Sequence, residues 1–167
     1  MFGNTSNTKN SGFVISAAIN KYVYVTITQP FRPGIYLKYS DIEKVSEPSL
    51  IKHKLFRELL MMESLPRPYQ IEFTTLADIP SGTGLGSSGA FMVSAIKALK
   101  AFTKNYKSNI EIAELACHIE IERLNQPVGK QDQYISALGG ICEFNFYKDD
   151  SVECNPLPCL LYTSDAA

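Results

Sequence analysis

Apolar side chains change their spacing several times along this chain of 167 residues, and each change marks a new element. From Phe13 to Thr28 the sequence is rich in Val, Ile, Tyr and Thr, and Tyr22-Val23-Tyr24-Val25-Thr26-Ile27 reads as a strand. Gln29-Pro30 and Pro33-Gly34 punctuate a turn before a second strand near Ile35 to Tyr39, which predicts an early antiparallel sheet. Ile51, Leu55, Leu59 and Met62 then recur at helical spacing with Lys52, Arg57 and Glu58 between them. Leu65-Pro66-Arg67-Pro68 ends that helix, because a residue before proline is pushed out of the helical region.

Ile71, Phe73 and Thr75 alternate with Glu72 and Thr74, so a half-buried strand runs from about Tyr69 to Leu76 into a glycine-rich loop. Met92, Ala95, Ile96 and Leu99 form one stripe of a helix from Ser88 to Phe102. Ser108-Asn109-Ile110-Glu111 reads as a capping box that opens another helix through Leu124. After Gln126 to Gln133, Gly139-Gly140 breaks the chain. Cys142, Phe144 and Phe146 alternate as a final strand, with a turn at Lys148-Asp149-Asp150. The order is mixed, without regular βαβ repetition, which predicts an α+β fold with helices packed on a mixed or antiparallel sheet. One domain is expected over 1–156, and 157–167 reads as an unstructured tail foreign to it.

Composition narrows the functional classes. Sixteen basic and seventeen acidic side chains give a formal net charge of -1, which offers no general attraction to phosphate backbones or anionic lipid. The longest apolar runs are far shorter than the ~18 residues of a membrane span. A cytoplasmic protein with neither nucleic acid nor membrane as partner is expected. Cys117, Cys142, Cys154 and Cys159 are irregularly spaced with no CxxC pair, so they read as thiols in a reducing compartment rather than as zinc ligands.

Pro80-Ser81-Gly82-Thr83-Gly84-Leu85-Gly86-Ser87-Ser88-Gly89-Ala90 carries the clearest chemistry. Glycines let backbone N–H groups converge on one anion, the following helix adds its positive end, and serine hydroxyls reach phosphate oxygens or a bound Mg²⁺. A plain connector with an N-cap at Ser87 or Ser88 is the alternative without function. A Walker A loop fails, because no lysine stands nearer than Lys97. Gly84-Leu85-Gly86-Ser87-Ser88-Gly89 fits the dinucleotide spacing GxGxxG. Its context does not fit: Ala77 to Thr83 separate strand from glycines, and the next element is another helix.

The full pattern, Pro80-x-x-x-Gly84-Leu85-Gly86-Ser87-Ser88-x-Ala90, resembles the ATP-binding motif of the GHMP kinases. Ala116-Cys117-His118-Ile119-Glu120 and Gly129-Lys130-Gln131-Asp132-Gln133 look like that family's metal-ligand helix and catalytic acid segment. The latter segment with Tyr134, and Ile19-Asn20-Lys21-Tyr22, are similar to the members that act on heptose 7-phosphates. The resemblance, which covers about 12–156, implies a kinase that uses ATP and Mg²⁺ to phosphorylate the anomeric hydroxyl of a sugar phosphate, giving a 1,7-bisphosphate. A fucokinase-like activity on another sugar is the runner-up, and a non-catalytic sensor with the kinase fold is the alternative of another class. It further implies that Gly84, Leu85, Gly86, Ser87 and Ser88 hold the ATP phosphates. Ser88 and Glu120, with Glu122 as rival, would hold Mg²⁺. Asp132 would face the acceptor hydroxyl as base or fixed charge, and Gly129, Lys130 and Gln131 would contact substrate. Asp132 as the N-cap of a helix through Tyr134 to Leu138 is the reading without function. Against the family pattern, a first strand, a sugar-binding turn and a second domain are missing from 1–156, so an incomplete N-terminal, ATP-binding domain is expected.

Overall fold

A computed structural model describes residues 11–80 and 82–158, and the strands among them form two sheets. β1 (Ser11–Ala17), β6 (Ile141–Tyr147) and β7 (Val152–Pro156) are antiparallel, with β6 in the centre. β2 (Val23–Thr28), β3 (Gly34–Lys38), β4 (Ile42–Val45) and β5 (Gln70–Ala77) form a mixed sheet in the order β2-β5-β3-β4. The helices are α1 (Lys54–Met61), α2 (Ser87–Phe102), α3 (Asn109–Cys117) and α4 (Gln131–Leu138). The α+β class matches the expectation.

The expected pairing of the first two strands does not occur. β5 lies between them, antiparallel to β2, with Ile27 opposite Phe73, and parallel to β3, with Ile35 opposite Ile71. Burial explains the choice. Ile71 and Phe73 are both buried and need neighbours on either side, whereas β2 alternates half-buried with exposed positions and tolerates the edge. The connection from Gln29 to Pro33 is also too long and proline-rich for the two-residue turns that favour hairpins.

The stripe on α2 behaves as its spacing predicts: Met92, Ala95, Ile96 and Leu99 are all fully buried. They join Phe56, Phe73 and Ile35 in a core, where the Phe56 ring lies 5.0 Å from Phe73 and 5.1 Å from Phe91. α2 packs on β2 and α4, and α3 packs on α4, so the starts of α2 and α4 are held side by side. The capping box forms in full, with Ser108 Oγ accepting from Glu111 N at 3.2 Å and Glu111 Oε2 accepting from Ser108 N at 2.8 Å. Such a cap stabilises a helix by about 1 kcal/mol.

Two extents differ from the sequence pattern. The helix expected through Leu124 leaves α geometry after Cys117 and continues as a π-helical turn over His118–Arg123, where Leu124 N–H bonds to Ile119 O at 3.1 Å. The strand β6 is not the last, because β7 returns beside it after the turn at Asp150. Its sequence, Val152-Glu153-Cys154-Asn155-Pro156, has too few large apolar residues to show as a strand alone. Cys117, Cys142 and Cys154 are free thiols, and Cys159 with the rest of 159–167 lies outside the described residues. No helix among the described residues is long and apolar enough to cross a membrane.

Candidate functional site

β5 delivers the chain into the glycine loop, and its exit is fastened to the entry of β2. Asp78 N donates to Tyr22 O and Tyr22 N to Asp78 Oδ2, each at 2.9 Å. Gly84 and Gly86 then adopt φ of 73° and 72°, a left-handed backbone that residues with a Cβ avoid. Gly86, not a serine, is the N-cap of α2, and no side chain caps that end. The N-cap expected at Ser87 or Ser88 is therefore at Gly86 instead. The first N–H groups of a sixteen-residue helix stay available to a ligand, where the helix dipole favours an anion.

Asp132 lies against this turn. A Cβ built on Gly86 would come within 3.2 Å of Asp132 Cγ, and one built on Gly89 within 3.1 Å of the Asp132 carbonyl carbon and of Gln133 N. The two glycines let the start of α4 approach the start of α2 closely enough to set the Asp132 carboxyl beside the loop. Lys130, not Asp132, is the N-cap of α4, which starts at Gln131, so Asp132 is a first-turn residue that makes no cap. Burial raises its pKa above the ordinary aspartate value, with a hydrogen bond from Gln131 opposing the rise.

Glu120 is fully buried in the π-helical turn. Ser88 Oγ donates to its Oε1 at 2.5 Å, and Gln133 Nε2 donates to its Oε2 at 2.6 Å. Among the described residues no lysine, arginine or histidine pairs with it. A buried carboxylate without a counter-charge is costly, and a cation would offset it. The donor set, one hydroxyl and one carboxylate, suits a hard divalent ion such as Mg²⁺. No cluster of three or more His, Cys, Asp and Glu side chains is present among the described residues, so the remaining ligands of such an ion would be other oxygens, such as water or a bound phosphate.

The remaining sequence-derived candidates separate from this cluster. Glu122, two residues on from Glu120, points away from Ser88 and pairs with His118 Nδ1 at 2.9 Å. Of the two carboxylates that the sequence left open, Glu120 is the one in contact with Ser88. Lys130 turns its ammonium to Asp150, 2.6 Å from Oδ1, and shares with Glu122, His118 and Cys117 a cavity of about 340 Å³ away from the glycine turn. Gln131 touches the Asp132 carboxyl and is half-buried, while Gly129 is exposed. Leu85 is exposed on the loop. Gln133 had no assigned role in the sequence. Its only signal was a polar residue between Asp132 and the apolar pair Tyr134-Ile135, where helical spacing turns it inward.

The profile of the GHMP kinases N terminal domain matches residues 50–140. The D-glycero-alpha-D-manno-heptose 7-phosphate kinase of Campylobacter jejuni is 30% identical over 161 residues, which cover 89% of this chain and 47% of that protein. A galactokinase of Thermotoga petrophila is 25% identical, covering 78% of this chain and 39% of that protein. The solved structure described as a D-glycero-D-manno-heptose 1-phosphate kinase from Bacteroides thetaiotaomicron superposes with a TM-score of 0.79 at 29% identity, over 89% of this chain and 52% of that one. The chain thus spans about half the length of the relatives it matches. With the profile lying over α1, the glycine loop, Glu120 and Asp132, and with that superposition, the chain belongs to the GHMP kinases and carries the fold of their N-terminal domain.

Proposed function

We propose that the protein transfers the γ-phosphoryl group of ATP to a hydroxyl of a sugar phosphate, with a heptose 7-phosphate as acceptor and the 1,7-bisphosphate as product. The observation that carries this reading is the convergence of three groups at one helix start: the uncapped N–H groups of α2, the Ser88–Glu120 pair and the Asp132 carboxyl. Each has a task in phosphoryl transfer. The loop backbone from Gly84 to Ser88 cradles the triphosphate. Ser88 and Glu120 would hold Mg²⁺, which would supply positive charge against that on the phosphate oxygens. Asp132 orients the acceptor hydroxyl and accepts its proton, a role helped by a pKa raised toward working pH.

Gly129 and Gln131, which flank Lys130 at the entry to α4, would contact the acceptor on this reading. Lys130 would reach it only by leaving Asp150. The choice of acceptor follows the two heptose phosphate kinases among the relatives, whose names place the existing phosphate at different carbons. The galactokinase supports a free sugar as the second reading. A soluble enzyme of the cytoplasm fits the composition and the absence of a spanning helix among the described residues.

The test is a coupled assay of the protein expressed from its complete open reading frame, with MgATP and a panel of heptose phosphates, hexose phosphates and free hexoses. Turnover of a heptose 7-phosphate well above the others is the expected result. Turnover of a free sugar alone would replace the acceptor. Nucleotide binding with no turnover of any sugar would leave the sensor reading in its place.

A further inference from the structure

Gln133 stands out as a buried polar side chain whose hydrogen-bonding capacity is only half used. It is 1% exposed, its Nε2 donates to Glu120 Oε2, and its Oε1 is buried with no donor among the described residues. An ionised Glu120 only accepts, so with that carboxyl ionised the amide nitrogen faces it and Oε1 turns away. An acceptor left bare in the interior costs about 1–3 kcal/mol. An apolar side chain of the same length would avoid that cost, so packing alone does not account for a glutamine here.

The Glu120 carboxylate has two oxygens and two donors, Ser88 on one and Gln133 on the other. With Oε2 bonded to a side chain of α4 and Oε1 to Ser88 of α2, rotating the carboxylate plane would break both hydrogen bonds. Resting on the kinase reading above, we propose that Gln133 is a positioning residue: it locks Glu120 so that Oε1 and Ser88 Oγ present one preformed pair of oxygens to the divalent cation. Partners that orient a ligand in this way commonly change metal affinity by about 10- to 100-fold when removed. Gln133 immediately follows Asp132 on the first turn of α4, so one helix start would orient both the metal ligand and the group that faces the acceptor.

The test compares wild type and Gln133→Met, both from the complete open reading frame, by calorimetric titration of ATP at graded Mg²⁺ and without Mg²⁺. The variant should need about 10- to 100-fold more Mg²⁺ for half-maximal enhancement of ATP binding, with metal-free ATP affinity unchanged within a few-fold. A folded variant with wild-type Mg²⁺ dependence overturns the inference alone. Wild-type ATP binding that ignores Mg²⁺ overturns the Ser88–Glu120 metal site and the role of Gln133 with it. Should the variant not fold, the wild-type side-chain amide resonances of Gln133 decide: they should shift when Mg²⁺ is added to the ATP-bound protein, and static resonances refute the proposal.

Discussion

Replacing Gly89 by alanine sets two effects of known sign against each other. Gly89 lies in the first turn of α2 with no positive φ, so alanine there gains about 1 kcal/mol of helix propensity. The new Cβ would stand 3.1 Å from the Asp132 carbonyl carbon, 3.1 Å from its Cβ and 3.1 Å from Gln133 N. Two of those atoms are backbone of α4 and cannot swing aside, so the helix start must retreat by a few tenths of an ångström. Overpacking of this kind costs about 1–3 kcal/mol. The net effect is a loss of up to about 2 kcal/mol, and at roughly 2–4 °C per kcal/mol for a protein of this size the melting temperature falls by at most about 8 °C. Catalysis should suffer more. The retreat carries Asp132 away from the glycine loop and pulls Gln133 from Glu120, so on the proposed mechanism turnover should drop by about 10- to 100-fold at temperatures where the variant is fully folded. Differential scanning calorimetry and the coupled kinase assay on the complete protein measure both. A higher melting temperature with unchanged turnover would show that α4 yields freely and that its contact with Gly89 does not set the site.

Asp132→Asn should leave ATP affinity within a few-fold and lower kcat by about 100-fold or more, as read in the coupled assay. Because burial raises the Asp132 pKa and the proposed base is the unprotonated form, wild-type activity should fail on acidification at a higher pH than an exposed aspartate would dictate, and a kcat profile checks this limb. Glu120→Gln removes a buried charge that has no cationic partner among the described residues, so it should keep or raise metal-free thermal stability, by about 1 kcal/mol, while abolishing the Mg²⁺ dependence of ATP binding; a destabilised variant would refute the account of that charge. Glu63→Ala strands the Lys100 ammonium, which is nearly buried in its ion pair with Glu63, and should cost about 3–5 kcal/mol in chemical denaturation.

The elements that the sequence reveals best are those whose burial is one-sided. The α2 stripe and the β5 alternation each record a single buried face, and the structure repeats both. Strand order is not written in such patterns. β2 and β3 carry similar alternation whether they pair with each other or flank β5, and only the competition to cover Ile71 and Phe73 decides. The boundary of α3 was hidden for another reason. The switch from α to π geometry after Cys117 turns both Ile119 and Glu120 fully inward, an apolar and a charged residue side by side, and so leaves no helical periodicity to read.

Site residues follow the same division between local and long-range information. The glycine spacing announces the tight turn before α2 because it is a local backbone requirement: positive φ at Gly84 and Gly86 restricts the residue type directly. Glu120 against Glu122 is a long-range question, since both are helix carboxylates of equal propensity. Contact with Ser88, thirty-two residues away, separates them. Once Glu120 is turned inward, its second oxygen needs a donor, and the first turn of α4 is the element that packs there. That requirement places Gln133 beneath Glu120 and, one residue earlier on the same turn, aims Asp132 at Gly86. The glycines at 86 and 89 admit this approach because neither carries a Cβ, so the loop that reads from sequence as a phosphate cradle also fixes where the carboxylates can stand.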